Sequence, residues 1–321
     1  MAYFMLVLAA ALWGGNYVVG RVLVSHVVPG FILEARWVIA SLLLIALYHK
    51  RALNEFRFLR QSLGRTIFLA LLGPVLFPTF LYIGEQYTTA VNASMFLATS
   101  PAIVLIINAL VFKERITLFN VFGVLSSTIG VFFVLSQGHI SNILGLHIGV
   151  GDLWALGSAV AWGIYSSFLR TKHKQMSVPG FTTFTSVLGS LMLIPFAAID
   201  IGSHTVHWHS YMSLAVTLGI LFLALGPSVA SYTLWNKGVS LIGATRSQIF
   251  THLVPFFGIV FSVAFLQTPL YIYDFIGAAF IISGIVLSSR KAKTIQTSAA
   301  TSLVRRSDAS IGCIEAEKSD C

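Results

Sequence analysis

The feature that most constrains this sequence is a series of ten apolar runs, each close to the length of a membrane-spanning helix. A helix needs roughly 20 mainly apolar residues to cross a bilayer. The composition agrees, since 56% of the 321 residues are hydrophobic and 10% are charged. We therefore predict an all-α integral membrane protein with ten transmembrane helices. The runs lie at about 3–22, 31–48, 66–83, 91–112, 117–136, 152–170, 181–199, 212–234, 245–266 and 271–289.

The two halves of the chain repeat each other at an offset of 149 to 154 residues. Each half holds five apolar runs, an odd number, so the second half must enter the membrane from the opposite side. The sequence therefore predicts two inverted five-helix repeats, an arrangement typical of alternating-access transporters. The matched segments are Ala11–Gly14 with Val160–Gly163, Val28–Phe31 with Val178–Phe181, Gly73-Pro74 with Gly226-Pro227, and Pro101 with Pro255.

The repeat and the composition divide the chain into four segments. We expect a first five-helix repeat at 1–137, an outer linker loop at 138–151 and a second five-helix repeat at 152–290. The tail at 291–321 is polar and poor in aromatic residues, which predicts disorder. We expect residues 3–22 to be retained as the first membrane span and not removed as a signal peptide.

Lysine and arginine concentrate on one side of the predicted spans. The net charge of +9 lies mainly in loops that share a side with both termini. Positively charged loops favour the cytoplasmic side of a membrane. We therefore predict a multi-pass protein of the cell inner membrane with cytoplasmic termini, and no nucleic-acid partner. The residues concerned include Lys50, Arg51, Arg57, Arg60, Arg65, Lys113, Arg115, Arg170, Lys172, Lys174 and Lys237.

Prolines interrupt four spans at matched places, with Pro74 and Pro227 in spans 3 and 8, and Pro101 and Pro255 in spans 4 and 9. Proline removes a helical hydrogen bond, and matched breaks are a sequence sign of a central binding site. The alternative is that proline is simply more frequent in membrane helices.

Glycines recur seven residues apart in spans 5 and 10, at Gly123 and Gly130 and at Gly277 and Gly284. Small residues on one helix face allow close helix packing. This packing lies either inside one chain or at a homodimer contact.

Several segments together resemble EamA-type members of the drug/metabolite transporter superfamily. The resemblance covers residues 3–290 and implies a ten-helix fold with a central cavity lined by spans 1, 3, 4, 6, 8 and 9. It implies export or exchange of small metabolites, such as amino acids, their derivatives or drugs. Two departures are Leu266–Pro269, where the family usually has a Gly-Glu pair, and Glu34, where it is commonly apolar. The segments are Ala11–Tyr17, Glu34–Trp37, Ala90–Ser94, Ser100-Pro101, Phe112–Arg115, Gly151–Ala155 and Leu241–Arg246.

Charged residues inside or beside the spans are candidates for substrate binding or ion coupling. Arg36 is interpreted either as a cation that holds a substrate carboxylate, or as a structural arginine that snorkels to the outer interface or pairs with Glu85 or with helix-end carbonyls. Glu34 is a candidate coupling group or a polar residue near the outer mouth, and Glu85 is a second coupling candidate. Arg246 is expected to snorkel, and Asp152 and Asp274 to cap helices.

Aromatic and amide side chains well inside the spans are candidates to line the cavity. Aromatic rings with a polar edge suit amphipathic metabolites, although interfacial anchoring and helix–helix contacts are the alternatives. We expect Arg36, Glu34 and Asn16, which lack counterparts in the second half, to carry substrate choice. The cavity candidates are Trp13, Asn16, Tyr17, Arg36, Tyr82, Asn92, Trp162, Tyr165 and Trp235.

The sequence carries no phosphate loop, nucleophile elbow or zinc motif. We predict a secondary transporter, not an enzyme, without cofactor or metal, whose partners are a small-molecule substrate and the bilayer. The outer histidines His204, His207 and His209 are expected to be solvated. The alternatives are an uncoupled facilitator or exchanger and, with less support, a membrane-embedded lipid-modifying enzyme.

Overall fold

The computed structural model describes residues 1–136, 138–139, 149–266 and 271–289, and every regular element within these ranges is a helix. The predicted tail and most of the predicted linker lie outside them. Short 3₁₀ turns lie at Leu169–Thr171 and Ile249–His252. The helices are α1 (Ala2–Leu23), α2 (Pro29–Gln61), α3 (Leu63–Tyr87), α4 (Ala90–Leu97), α5 (Ser100–Leu110), α6 (Leu118–Leu135), α7 (Val150–Phe168), α8 (Val178–Gly202), α9 (Trp208–Tyr211), α10 (Leu214–Ile242), α11 (Ala244–Gln248), α12 (Leu253–Leu266) and α13 (Ile272–Ser289).

The helices coincide with the apolar runs of the sequence. Five of them, α1, α2, α3, α8 and α10, are long and apolar enough to cross a membrane, and α5, α6 and α13 contain shorter apolar stretches. The predicted all-α class is therefore confirmed for the described residues. Helix α2 reaches Gln61, well beyond its apolar run, but it is kinked at Tyr48, whose backbone angles of φ −126° and ψ 16° are not helical.

Side-chain contacts define two ends of the helix bundle. At the basic end, Arg170 forms an ion pair with Glu114 at 2.7 Å, and Arg65 donates to the Thr171 carbonyl at 3.3 Å. At the opposite end, which we call the histidine end, His26 and His204 line one surface pocket of about 310 Å³.

Both Gly-Pro pairs lie in π-helical turns. Pro74 lies in the turn Leu71–Leu76 of α3, and Pro227 in the turn Ala224–Ser231 of α10. A π turn widens the helix and leaves backbone groups in altered positions, which is frequent at functional sites. In α3 one freed group has a partner from the other half, because the Tyr232 hydroxyl donates to the Gly73 carbonyl at 2.7 Å.

The other two prolines begin helices, whereas the sequence places them in mid-span. Pro101 lies in the first turn of α5, just after α4 ends, and Pro255 is the third residue of α12, after the 3₁₀ turn Ile249–His252. A proline in the first helical turn costs little, because its missing N–H would have no helical partner there. The interruptions therefore precede the prolines.

The recurring glycines bring α6 and α13 into contact within one chain. A Cβ atom at Gly130 would lie 2.6 Å from the Gly277 carbonyl, and one at Gly284 would lie 2.5 Å from the Gly123 carbonyl. Both distances are too short for any side chain. Of the two alternatives for these glycines, the structure has packing inside the chain.

Helices α2 and α8 pack against each other and cap each other's first turns. The Asp200 carboxylate, near the end of α8, accepts from the Gly30 N–H at 2.7 Å. In return, Glu55 of α2 accepts from the backbone N–H of Ser177 at 3.0 Å. A carboxylate near free N–H groups stabilises a helix start. Asp152 has the expected role in α7, accepting from the Gly149 N–H at 3.0 Å.

Candidate functional site

Five buried aromatic rings meet where the two halves of the chain face each other. This aromatic cluster consists of Trp13, Trp37, Trp162, Trp235 and Tyr232, each 2% exposed or less. Ring centroids of Trp13 lie 4.8 Å from Trp162 and 5.3 Å from Trp235, and Trp162 lies 5.4 Å from Trp235. Trp37 joins the group through Tyr232, at 5.3 Å.

A glycine after each of two tryptophans lets a neighbouring helix approach the aromatic cluster. A Cβ atom at Gly14 would lie 2.7 Å from the Cβ of Phe257 in α12. A Cβ atom at Gly163 would lie 2.7 Å from Ile103 in α5. The repeated Trp-Gly motif therefore sets the spacing between α1 and α12, and between α7 and α5.

Arg36 lies beside the aromatic cluster and binds only neutral partners. Its Nε donates to the Ser228 hydroxyl at 2.8 Å, and its Nη1 donates to Asn16 at 3.1 Å and to the Tyr82 hydroxyl. Tyr82 in turn donates to Asn16 at 2.9 Å. We call these four residues the Arg36 network. Its guanidinium also lies 5.5 Å from the Trp37 ring, a cation–π distance.

Arg36 is too buried to snorkel and forms no direct ion pair with Glu85, although the Glu85 carboxyl group lies within electrostatic range of both Arg36 and Arg21. The arginine is 2% exposed, and the ion pairs of the described residues are Arg170–Glu114 and His204–Asp200. Glu85 is fully buried, and neither oxygen of its carboxyl group has a hydrogen-bond partner. Its Oε2 packs on α1, where a Cβ atom at Gly20 would lie 2.6 Å away.

Glu34 lies on another face of α2 and contacts α8. Its Oε1 accepts from the Ser190 hydroxyl at 2.8 Å, and its Oε2 has no partner. The two coupling candidates are therefore in different places, with Glu85 against α1 and Glu34 against α8.

A cavity of about 560 Å³ opens at the basic end of the bundle. Asn236 lines it and accepts from the Tyr165 hydroxyl at 2.8 Å, and the Tyr165 ring lies 5.2 Å from Trp162. None of the five cluster residues is in the cavity lining, and Asn236 and Tyr165 are the link between the cavity and the aromatic cluster. Its charged lining residues are Glu114, Arg170, Lys172 and Lys174.

Lys172 lies in the loop between α7 and α8 and is half-buried. Loss of contact with water holds the pKa of its ammonium below the usual 10.5, and nearby Glu55 partly opposes this shift. Its Nζ donates to the carbonyls of Met176 and His173. These bonds fix the loop that forms one wall of the cavity.

The Tyr165–Asn236 bond repeats the Asn16–Tyr82 bond with the residue types exchanged. An offset of 149 leads from Asn16 to Tyr165, and one of 154 leads from Tyr82 to Asn236, both within the offset range of the repeat. Asn16, for which the sequence shows no counterpart, therefore belongs to a pair that the second half also forms.

A buried polar seam joins the interrupted helices of the two halves. Gln248 donates to the Ser100 hydroxyl at 2.7 Å, Asn108 donates to Thr245 at 2.8 Å, and His252 donates through Nε2 to the Ala98 carbonyl at 2.8 Å. This seam was not predicted from the sequence. Polar residues within an apolar run were the available signal.

The structure brings together most of the predicted cavity residues. Trp13, Trp162 and Trp235 are in the aromatic cluster, Asn16, Arg36 and Tyr82 in the Arg36 network, and Tyr165 joins the cluster to the cavity. Tyr17 is buried in α1. Asn92 belongs to α4, and its side chain lies outside the described residues, as does that of Asp274 in α13. Among the described residues no group of three metal-ligand side chains occurs, at the histidines or elsewhere.

Four site residues were missed by sequence reasoning, although each is a neighbour of a predicted one or of a matched proline. Trp37 follows Arg36, and Asn236 follows Trp235. Ser228 directly follows Pro227, and Tyr232 lies one turn further along α10. Ser228, Tyr232 and Trp235 are spaced i, i+4 and i+7, the positions of one helix face, and this spacing was the sequence signal that could have found them.

The family model for EamA-like transporters matches residues 1–136 and again residues 149–290. The chain belongs to the EamA-like transporter family. The uncharacterized transporter YyaM of Bacillus subtilis (strain 168) is 28% identical over 290 residues, covering 89% of this chain and 93% of the relative. The uncharacterized inner membrane transporter YicL of Salmonella typhimurium is 25% identical over 288 residues, covering 88% and 93%.

One crystal structure shares the fold, with a TM-score of 0.72 at 17% identity over 90% of this chain and 96% of its own. The family and the relatives confirm the predicted class, a multi-pass membrane transporter and not an enzyme. They also confirm the resemblance to EamA-type transporters that the sequence showed.

Proposed function

We propose that this EamA-like protein is a secondary transporter that exports or exchanges small organic metabolites, such as amino acids, their derivatives or drugs, by alternating access. In this proposal the chain crosses the inner membrane ten times as two inverted five-helix repeats, with both termini and the basic end in the cytoplasm. The aromatic cluster and the Arg36 network form the substrate site.

The observation that carries the proposal is the set of matched contacts between the halves. Both halves have a π turn at a Gly-Pro pair, a Trp-Gly contact with an interrupted helix, and an Asn–Tyr hydrogen bond. Inverted repeats transport by exchanging the conformations of the two halves. Matched contacts are what such an exchange requires, because each half must be able to adopt the arrangement of the other.

The cavity supports the same function. It opens at the basic end and is linked to the buried aromatic rings through Asn236 and Tyr165, so in this proposal it is the part of the pathway that faces that side of the membrane. A volume of about 560 Å³ is within the usual range for small-molecule sites. The Arg36 network links α1, α2 and α3 to α10 across the centre, so opening toward the histidine end must break the bond between Arg36 and Ser228.

The decisive experiment is counterflow in proteoliposomes. Vesicles loaded with one unlabelled amino acid, organic acid or amphipathic drug should accumulate the labelled form transiently. The Arg36→Ala variant should lose this signal while its folding, followed by thermal unfolding in detergent, is retained. Absence of counterflow for every solute, in protein shown to be folded, would refute the transporter.

The uncoupled facilitator or exchanger is the second candidate, because the described carboxyl groups near the centre are Glu85 and Glu34 and neither contacts the aromatic cluster. A pH gradient alone should drive uptake if protons are coupled. Glu85→Gln and Glu34→Gln, tested separately, would then identify the coupling group. Only the substitution of that group should abolish gradient-driven uptake while leaving counterflow intact. If uptake by the unmodified protein does not depend on the pH gradient, the protein is an uncoupled facilitator or exchanger.

A further inference from the structure

Three of the four tryptophans in the aromatic cluster have an unused hydrogen-bond donor. The indole nitrogens of Trp37, Trp162 and Trp235 are buried and have no partner. An indole N–H donates and cannot accept, and when buried it usually finds an acceptor. Trp13 shows the ordinary case, since its N–H donates to the Pro227 carbonyl at 3.3 Å. The centre of the molecule therefore offers donors that a ligand with acceptor atoms would satisfy.

The positive charge of Arg36 adds to this surplus of donors. Its hydrogen-bond partners are a hydroxyl, an amide oxygen and a phenol, and the one carboxyl group within electrostatic range, that of Glu85, forms neither a hydrogen bond nor an ion pair with it. A buried guanidinium is much more stable with an anion beside it than with neutral groups alone. The Arg36 guanidinium lies 5.5 Å from the centre of the Trp37 ring, so the charge and one free indole N–H are close together.

The cavity at the basic end of the bundle is also cationic. Of its charged lining residues, Glu114 is already paired with Arg170, which leaves Lys172 and Lys174 as positive charges in the opening. Charges of one sign around a cleft raise the local concentration of solutes of the opposite sign. The opening and the centre therefore favour the same charge on the solute.

We propose that the aromatic cluster binds a small organic anion with a flat apolar body, whose carboxylate faces Arg36 and the free indole N–H groups. The rings hold the body, and the acceptor oxygens satisfy the unused donors. The inference rests on the proposed transport function and narrows its substrates to one chemical class. Neither amines nor neutral amides of the same shape satisfy the site, since each supplies fewer acceptors and no negative charge.

The test uses three ligands of nearly equal shape, namely 3-phenylpropionate, 3-phenylpropanamide and phenethylamine. Isothermal titration calorimetry on the full chain in nanodiscs measures their affinities. The carboxylate should bind at least about tenfold more tightly than the amide, the usual effect of one charge-assisted hydrogen bond, and more tightly still than the amine. Equal affinities, tightest binding of the amine, or binding of none of the three would overturn the proposal.

Matched tryptophan variants isolate the role of the N–H groups. Trp235→Phe removes a free donor, and Trp13→Phe removes a donor that already has a partner. Both substitutions replace an indole of the aromatic cluster with the smaller phenyl ring. Carboxylate affinity should fall more in Trp235→Phe, by about tenfold, while its thermal stability without ligand should fall less than that of Trp13→Phe. If both variants lose the same affinity, the free donors do not bind the carboxylate.

Counterflow separates this inference from the transport function itself. Robust counterflow of the amine together with none of the carboxylate would keep the transporter and reject the anion. Lys174→Ala should reduce carboxylate uptake at low ionic strength, and the difference should shrink in high salt, because screening weakens attraction by charges in an open cavity. Lys50→Ala, at an exposed position outside the cavity lining, is the matched control.

Discussion

The hydroxyl of Tyr82 has two roles in the Arg36 network, since it accepts from Arg36 and donates to Asn16. Both roles are needed because no described carboxylate is paired with the arginine. A buried charge is tolerated when polar groups surround it. Here three helices supply these groups to a residue on a fourth, so the network depends on the positions of all four.

Removing the hydroxyl alone should therefore destabilise the protein. In Tyr82→Phe, Arg36 and Asn16 each lose a partner in a fully buried place, and we expect a loss of about 1–3 kcal/mol in the free energy of unfolding. Thermal unfolding in detergent measures it. Tyr87→Phe, an exposed tyrosine on the same helix, is the control and should unfold like the parent protein.

Lys172 gives a pH-dependent prediction at the residue scale. Because burial lowers the pKa of its ammonium, the folded chain releases this proton at a lower pH than the unfolded chain, whose value is 10.5. The contribution of Lys172 to stability is therefore least favourable below the lowered pKa and improves as the pH rises from there to 10.5.

The measurement is pulsed acetylation of the folded protein at increasing pH, with mass spectrometry. Lys172 should become reactive with a midpoint below 10.5. Glu55→Gln should move the midpoint lower, since Glu55 favours the charged form. A midpoint at or above 10.5 contradicts the burial effect.

At the scale of elements, the contact between α6 and α13 depends on backbone meeting backbone. Gly130→Ala and Gly284→Ala each place a methyl group within 2.6 Å of a carbonyl oxygen of the facing helix. Overpacking of this kind typically costs about 1–3 kcal/mol, which thermal unfolding should detect. Gly258→Ala in α12 is the matched control, because nothing lies within 4 Å of its added methyl group. Equal melting temperatures for all three variants would mean that the helices separate easily.

Hydropathy located the apolar regions that are helical, and five of the helices have the length that a bilayer requires. It could not locate the interruptions accurately. Pro101 and Pro255 indicated the right spans, but proline is compatible with a first helical turn, and the structure uses it there. The π turns at Pro74 and Pro227 could not be predicted from the sequence either, since a change of helical period depends on the residues that pack around the turn.

The site was predictable only in part, for a similar reason. Trp13, Arg36 and Tyr82 were identified because each is unusual within an apolar run. Ser228 and Asn236 are ordinary residues by type, and their roles come from the partner across the bundle. His252 could have been identified from the sequence, because an ionisable residue inside a span is itself a sign of function.

At the scale of the whole molecule, orientation in the membrane can be tested at the two ends of the bundle. Ser25 is exposed at the histidine end, and Ser240 is exposed at the basic end. In a chain whose two native cysteines, Cys313 and Cys321, are replaced by serine, Ser25→Cys should react with an impermeant maleimide on intact cells. Ser240→Cys should react only after permeabilisation. The reverse pattern would invert the predicted topology.

The aromatic cluster also makes the protein its own optical probe. Four of the six tryptophans lie in it, whereas Trp154 is partly exposed and Trp208 is exposed. Indole rings about 5 Å apart share their excited states, so the near-ultraviolet circular dichroism of this protein should contain a coupled signal from its centre. A solute that enters between the rings changes their spacing, and that signal will follow its arrival without any attached label.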